Sequence, residues 1–400
     1  MEAKHRSFSD DLAFSFAPSR PLRLPPLEPN SGKIISHEVH AQEIAPGIVL
    51  IVEPGRIQSW AEFCAEAPRQ SIALDGRVAA PSCADLRSKQ FNFDHHIGCD
   101  RMSTPSTCRQ VFDAVIHGRL FDELGEENGG LRALLHVKEG DPDVAFAVCF
   151  LRMHQRLEQG VGIGRVASLL RWEDLLDRYC GVLRCDPTDA ALRRLAWVCE
   201  PYEQARMRGG ALERISARRI GELIIEVADR LEQVWSGGAN GNYRTLDTAF
   251  VRLGGGDGWS LIKENGFYAR IGVANSQPAS QWDGLISVRP MLGERWSYVV
   301  LRGRSFSAFP VRCLLEVYNA FEGLSESSPY RWGGSDFGGG SPYCIGSALA
   351  PDRIEAITNS FLRFTRGRTP GRDLVEAFIA TALPERRPPA GPGYVDRGGL

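Results

Sequence analysis

Unbroken apolar runs, rather than alternation, mark the first half of this chain. Gly47-Ile48-Val49-Leu50-Ile51-Val52 has the pattern of a strand buried on both faces. Residues 59–67 read as a short helix, and Ser71-Ile72-Ala73-Leu74 as a second strand that stops at Asp75-Gly76. A third strand runs through Phe91-Asn92-Phe93 and stops at Asp94-His95-His96. Ser103-Thr104-Pro105-Ser106 then offers an N-cap and an early-turn proline for a helix to about residue 117. Residues 131–137 form the next strand, ended by Glu139-Gly140-Asp141-Pro142-Asp143, and residues 144–157 a helix apolar enough to pack on a sheet. Residues 171–179 are helical and carry Glu173, Asp174 and Asp177. Such alternation of strands and helices predicts an α/β fold with a mostly parallel sheet.

The second half has a different texture. Residues 187–235 are helical, and Ser236-Gly237-Gly238-Ala239-Asn240-Gly241-Asn242 breaks them. Short β-like runs fill 243–310, followed by a helix at 311–321, a glycine-rich loop at 333–346 and a helix at 351–361. The expected layout is a poorly ordered arm at 1–45 and an α/β domain at 46–185. A helical connector at 186–240, a smaller α+β C-terminal domain at 241–380 and a tail at 381–400 complete it.

Composition narrows the class. Of the 400 residues 43% are hydrophobic and 24% charged, as in ordinary globular proteins. No apolar run approaches the ~20 residues that span a bilayer. The first 31 residues lack the apolar core of a secretory signal, so the cytoplasm is the expected location, with no membrane partner. Ten cysteines without a Cys-x-x-Cys pair read as reduced and mostly packed. A net charge of −2 gives no global pull on nucleic acid, so phosphate binding is expected to be local.

The chemistry gathers where strands end. Asp75, then Asp94-His95-His96, then Asp141 and Asp143 close three strands, and Asp177 adds a fourth acidic point. Buried carboxylates are costly unless paired or bound to a cation, so one or two divalent ions explain such convergence. Mixed oxygen and nitrogen donors suit Mn²⁺, Mg²⁺, Fe²⁺ or Zn²⁺, with Mn²⁺, or Mg²⁺ in its place, as the expected ion. Each residue also has a local explanation. Asp75 precedes a turn glycine, one of Asp141 and Asp143 (Asp143 the more natural choice) is an N-cap, Asp177 is a helix-surface acid, and His136 is a core histidine.

Asp94-His95-His96 resembles the signature of the DHH phosphoesterases, which include single-strand exonucleases, oligonucleotide hydrolases and inorganic pyrophosphatases. That family also has a His-x-x-x-Asp-x-Asp motif, usually placed before the Asp-His-His. The similar stretch here is His136-Val137-Lys138-Glu139-Gly140-Asp141-Pro142-Asp143, one residue longer and placed after it. Where the family's first motif belongs, Ile51-Val52-Glu53-Pro54-Gly55-Arg56 lacks the acid pair. The resemblance thus implies a rearranged sheet or a partly lost metal site. It implies Asp75, Asp94, His95, Asp141, Asp143 and Asp177 as ligands. Asp94 and His96 become catalytic candidates, His96 as a ligand, charge stabiliser or proton donor. The family's C-terminal Gly-Gly-Gly-His motif is similar to Gly333-Gly334-Ser335-Asp336-Phe337-Gly338-Gly339-Gly340-Ser341, which has no histidine. Arg331, Gly333, Gly334, Ser335, Gly338 and Gly339 would on that likeness hold a substrate phosphate.

The expected function is metal-dependent hydrolysis of a phosphodiester or phosphoanhydride in a nucleotide, short single-stranded oligonucleotide or strand end. Two other readings stay open: a catalytically inactive module that binds a nucleotide or a protein, and a zinc hydrolase acting on carbon–nitrogen bonds. A homodimer is left open as well.

Overall fold

The computed structural model describes residues 38–125, 130, 132–207, 215–276, 283–291, 293–303, 307–328, 330–342 and 345–383. Most of the expected arm and most of the tail, at 1–37 and 384–400, lie outside the described residues. Helices and mixed sheets make the fold α/β, as expected.

The first sheet contains β1 (His40–Ala45), β2 (Ile48–Val52), β3 (Ser71–Leu74), β4 (Cys83–Asp85), β5 (Gln90–Phe93) and β6 (Ala133–Val137). Their spatial order is β1-β2-β6-β3-β5-β4. The pairs β2–β6, β6–β3 and β3–β5 are parallel, and β1 and β4 close the two edges antiparallel. Residues 40–45, assigned to the arm by their weak periodicity, are therefore a correction. They pair with β2 through their backbone while three of their side chains stay exposed, so no apolar pattern announces them. All side chains of β3 and β6 are buried, as their apolar runs require.

Helices cover both faces. On one side α1 (Trp60–Glu66), started by a Ser59–Glu62 capping box, sets Phe63 against Ala73 and Val78. The main core lies on the other side, with α2 (Thr107–Ile116), α3 (Leu120–Leu124), α4 (Pro142–Arg152), α5 (His154–Glu158), α6 (Ile163–Arg178), α7 (Ala190–Met207) and α8 (Ala217–Ser236). There α4 packs against α2 and α8, with Phe150 edge-on to Phe112 at 5.2 Å and to Trp235 at 6.1 Å. Leu195, Val198, Leu231 and Trp235 thus belong to the same core as the first sheet, so α7 and α8 are part of that layer rather than a connector.

The second sheet is mixed: β11-β12-β10-β9-β8-β7. It contains β7 (Phe250–Gly256), β8 (Trp259–Glu264), β9 (Gly284–Pro290), β10 (Trp296–Arg302), β11 (Gly333–Gly334) and β12 (Gly338–Gly340). Only β8 and β9 pair parallel, joined through α9 (Ala269–Ser276). Its core is shared with α10 (Val311–Glu322), α11 (Pro351–Phe364) and α12 (Arg372–Ala382). At Gly284 a Cβ would stand 2.4 Å from the ring of Phe309. Gly284→Ala is therefore expected to cost about 1–3 kcal/mol through overpacking. Chemical denaturation should show it as a lower midpoint at unchanged slope.

A buried polar cluster ties three strand ends of the first sheet together. Arg77 donates to Glu53 Oε2 at 2.6 and 3.1 Å, and His136 bridges Glu53 Oε2 at 3.4 Å and Ser71 Oγ at 3.2 Å. Burial opposes the Glu53 charge, yet His136 and Arg77 hold its carboxyl well below the usual range. Burial pushes His136 down, so it sits neutral. His136 is the satisfied core histidine. No helix among the described residues is long and apolar enough to cross a membrane.

Candidate metal centre

Sheet order, not chain order, builds the site. Because β6 inserts between β2 and β3, the turns after β6, β3 and β5 lie side by side at one carboxyl edge. Open α/β sheets hold ligands at that edge. The Asp-Pro-Asp turn therefore reaches the histidines although it follows them in the chain.

His95 is the centre of the arrangement and is fully buried. Its Nε2 lies 2.7 Å from Asp177 Oδ2, 3.7 Å from Asp75 Oδ1 and 3.9 Å from Asp143 Oδ2. Despite the short contact, neither ring nitrogen of His95 makes a hydrogen bond of acceptable geometry. A buried imidazole ringed by three carboxylates, with neither nitrogen hydrogen-bonded, could serve as one member of a ligand set once it loses its proton. Two overlapping groups of donors, Asp75-His95-His96 and His95-Asp143-Asp177, each lie within 4.8 Å of one another. One imidazole and three carboxylates are donors that several divalent ions accept, Mn²⁺, Fe²⁺ and Zn²⁺ among them.

Each ligand is held from behind. Asp143 Oδ1 and Oδ2 accept the backbone N–H groups of Cys108 and Thr107 at 2.7 and 2.8 Å, so the positive end of α2 stabilises the carboxylate. Thr107 Oγ1 donates to Asp75 Oδ1 at 3.1 Å. Arg101 Nη2 holds Asp177 at 3.1 and 3.3 Å. Crowding of like charges shifts the groups of the site. Burial, then Asp177 and Asp75, push Asp143 up to about 6. Burial opposes a charged His95, but Asp177 raises it to about 9. Burial also opposes the Asp177 charge, yet Arg101 and His95 hold its carboxyl well below the usual range.

Two expected ligands are placed otherwise. Asp94 is buried with Oδ1 2.9 Å from His96 Nδ1 and Oδ2 accepting from Ile97 N–H at 3.4 Å, so it orients His96. Asp141 caps its own helix, accepting from Val144 N–H at 2.9 Å. The N-cap role expected for Asp143 thus belongs to Asp141, and Asp143 is left to the neighbouring helix and His95. His96 Nδ1 also lies 3.4 Å from Asp75 Oδ1, and its side chain is 30% exposed.

The glycine stretch packs beside the chain that follows α6: Phe337 is edge-on to Tyr179 at 6.1 Å, and a Cβ at Gly338 would stand 3.5 Å from Cys180 Sγ. It forms the hairpin β11–β12 at the edge of the second sheet. Ser335 Oγ closes its turn on Gly338, and Arg331 pairs with Glu316. The glycines serve close backbone approach. A Cβ at Gly339 would stand 2.5 Å from the Gly333 carbonyl oxygen, whereas one at Gly333 meets nothing within 4 Å. Gly339→Ala is expected to lose about 1–3 kcal/mol, and Gly333→Ala to stay within about 0.5 kcal/mol. Thermal unfolding of the pair reads the difference.

Several site residues escaped the sequence reading. A cavity of about 220 Å³ opens on Asp143 and Asp177 and is lined by Glu173, Arg101, Arg270 and Arg289 among others. Glu173 stands one turn before Asp177 on α6; that spacing was its only signal. Lys138 Nζ sits 3.0 Å from Glu139 and 2.8 Å from where a Gly76 Cβ would be, beside the Asp75 turn. Burial opposes its charge, but Glu139, Asp75 and Asp141 raise it further. None of Arg331, Gly333, Gly334, Ser335, Gly338 and Gly339 lines that cavity.

Comparison of the chain with protein-family models, with curated proteins and with solved structures finds no match. The likeness to the DHH phosphoesterases rests on these residues alone.

Proposed function

We propose that this chain is a metal-dependent phosphoesterase of DHH-like type. The observation that carries the reading is His95 Nε2, buried, without a hydrogen bond and ringed by Asp75, Asp143 and Asp177. These four residues would hold a divalent ion, proposed as Mn²⁺ among those that accept such donors. Such an ion polarises a phosphoryl oxygen and lowers the pKa of a water when bound.

The chain's own residues supply the rest. Asp94 fixes the His96 ring by facing its Nδ1 at 2.9 Å, an arrangement that favours the tautomer with its proton on that nitrogen. His96, partly open to solvent, is the group placed to take a proton from water or return one to a leaving oxygen. Lys138 and Arg101 add fixed positive charge on either side, where negative charge grows on the phosphoryl oxygens. The cavity that opens on Asp143 and Asp177 gives the substrate a way to the centre.

Hydrolysis of short DNA and RNA oligonucleotides, cyclic dinucleotides, pyrophosphate and nucleoside triphosphates, with and without Mn²⁺, tests the reading. Mn²⁺-dependent release of phosphate or nucleotide is the expected result. An inert chain that retains no metal after purification would leave only a binding module. Asp94→Asn is expected to lower turnover about 10–100-fold while Mn²⁺ stays bound, because it disturbs His96 and not the ion's donors.

A further inference from the structure

Asp177 has the least secure seat of the residues gathered around His95. It lies in the last turn of α6, which ends at Arg178. Helix ends open readily, and a carboxylate there stands at the negative end of the helix dipole. Asp143 repels it as well. Arg101 answers on one side, its Nη2 donating to the Asp177 carbonyl at 3.0 Å and to the carboxylate at 3.1 and 3.3 Å. The second sheet answers on the other. Beyond Asp177 the chain turns through Cys180 and Gly181, with φ of 50° and 75°. Left-handed backbone is unfavourable for a residue with a Cβ, and it persists where the surroundings fix it. Here the Cys180 N–H donates to the Asp177 carbonyl at 2.9 Å, and its own carbonyl accepts from Arg270 Nη1 at 2.9 Å. Val182 then packs with Leu285 of β9 and Leu301 of β10.

The β11–β12 turn closes on the same stretch. Ser335 Oγ accepts the N–H groups of Phe337 and Gly338 at 3.2 Å each, and the Phe337 carbonyl accepts from Arg302 N–H at 2.9 Å. The tip is therefore fixed within its own turn and to the end of β10. The Phe337 ring is buried and lies edge-on to the ring of Tyr179 at 6.1 Å. Tyr179 is the C-cap of α6, two residues past Asp177. A Cβ at Gly338 would stand 2.6 Å from Leu301 Cδ2, so the small residue lets the turn lie close against β10 and the Cys180 bend. We infer that Phe337 is a positioning residue: through Tyr179 it holds the end of α6 and so sets where the Asp177 carboxylate meets the ion. The inference rests on the metal-centre reading and goes beyond it, giving the glycine hairpin a part in building the centre. Phe337 does not line the cavity, so this part needs no contact with substrate.

The test is titration of Mn²⁺ into the EDTA-stripped full chain, beside amide hydrogen exchange of residues 175–182. Phe337→Ala is expected to weaken Mn²⁺ binding about tenfold, the low end for partners that orient a metal ligand. Exchange at the Cys180 and Gly181 amides should quicken about tenfold. Phe337→Leu, which keeps apolar bulk at the turn, is expected to restore most of both. Tyr179→Ala, a milder change at a half-buried ring, should act in the same direction, and the double variant should lose no more than the worse single one. Phe378→Ala cuts the second core at α12, away from the hairpin, and should leave both readouts at their wild-type values. Unchanged Mn²⁺ binding in Phe337→Ala and Tyr179→Ala overturns the inference. So does a loss that Phe378→Ala shares, which would mean general loosening of the second sheet, and so does a double variant whose losses simply add. In each of these cases a wild type that binds Mn²⁺ keeps the metal-centre reading. A wild type that binds no Mn²⁺ removes that reading, and the role assigned to Phe337 falls with it.

Discussion

His95→Ala is expected to abolish Mn²⁺-dependent hydrolysis, with a fall of on the order of 10³-fold or more in kcat/KM. Its imidazole is the one donor common to both groups of candidate ligands, so no other side chain among the described residues restores the set. Loss of about 4 kcal/mol of charge stabilisation in the transition state corresponds to that factor. Asp177→Asn and Asp75→Asn are expected to act in the same direction. Urea unfolding is run beside the assay, because removing a buried ring held protonated among three carboxylates leaves those charges uncompensated and is expected to cost about 3–5 kcal/mol in the metal-free chain. An active His95→Ala enzyme would remove the centre from the chemistry.

Glu53→Ala is expected to have as large an effect on stability, about 3–5 kcal/mol, because it strands a buried cation. Arg77 is 2% exposed and has Glu53 as its ion-pair partner at 2.6 Å. The loss also frees the ends of β2, β3 and β6 from one another, next to the turn that carries Asp75. Urea titration at neutral pH measures it. The pH dependence has a definite sign. Glu53 is depressed from 4.5 in the folded chain, so its contribution is present above that value and fades as pH falls below it. His136 is depressed from 6.5, so the unfolded chain binds its proton first, and stability falls with pH from about 6.5 downward. Both act in one direction, His136 below about pH 6.5 and Glu53 below about pH 4.5, so the wild type should lose stability more steeply than Glu53→Ala only below about pH 4.5. A variant within 1 kcal/mol of wild type would show that the cluster is solvated.

The strands that carry the site were legible because they are buried on both faces. Runs such as Val49-Leu50-Ile51-Val52 and Ser71-Ile72-Ala73-Leu74 admit little else, and their acidic ends follow directly. The position of β6 was not legible, since pairing between β2 and β3 is a non-local contact with no trace in local periodicity. Which of the acids surround His95 was only half visible. Asp94 and Asp141 sit at the expected spacing, but hydrogen bonds to His96 and Val144 claim them, and such bonds depend on side-chain direction rather than sequence distance. The glycine stretch carries two readings in sequence, because the residue that lets a backbone approach phosphate also lets two strands approach each other, as at Gly333 and Gly339. Arg101 and Arg289 line one cavity from distant parts of the chain, so nothing in their sequence neighbourhoods joins them.

Direct titration of Mn²⁺ into the EDTA-stripped chain, wild type beside His95→Ala, bears most directly on the metal centre. The proposed centre predicts saturable binding in the wild type alone. Because His95 is held protonated up to about pH 9 and must lose that proton to bind a metal, affinity should rise about tenfold per pH unit between pH 6.5 and 8.5. Binding that is equal in both chains, independent of pH or absent would contradict the account.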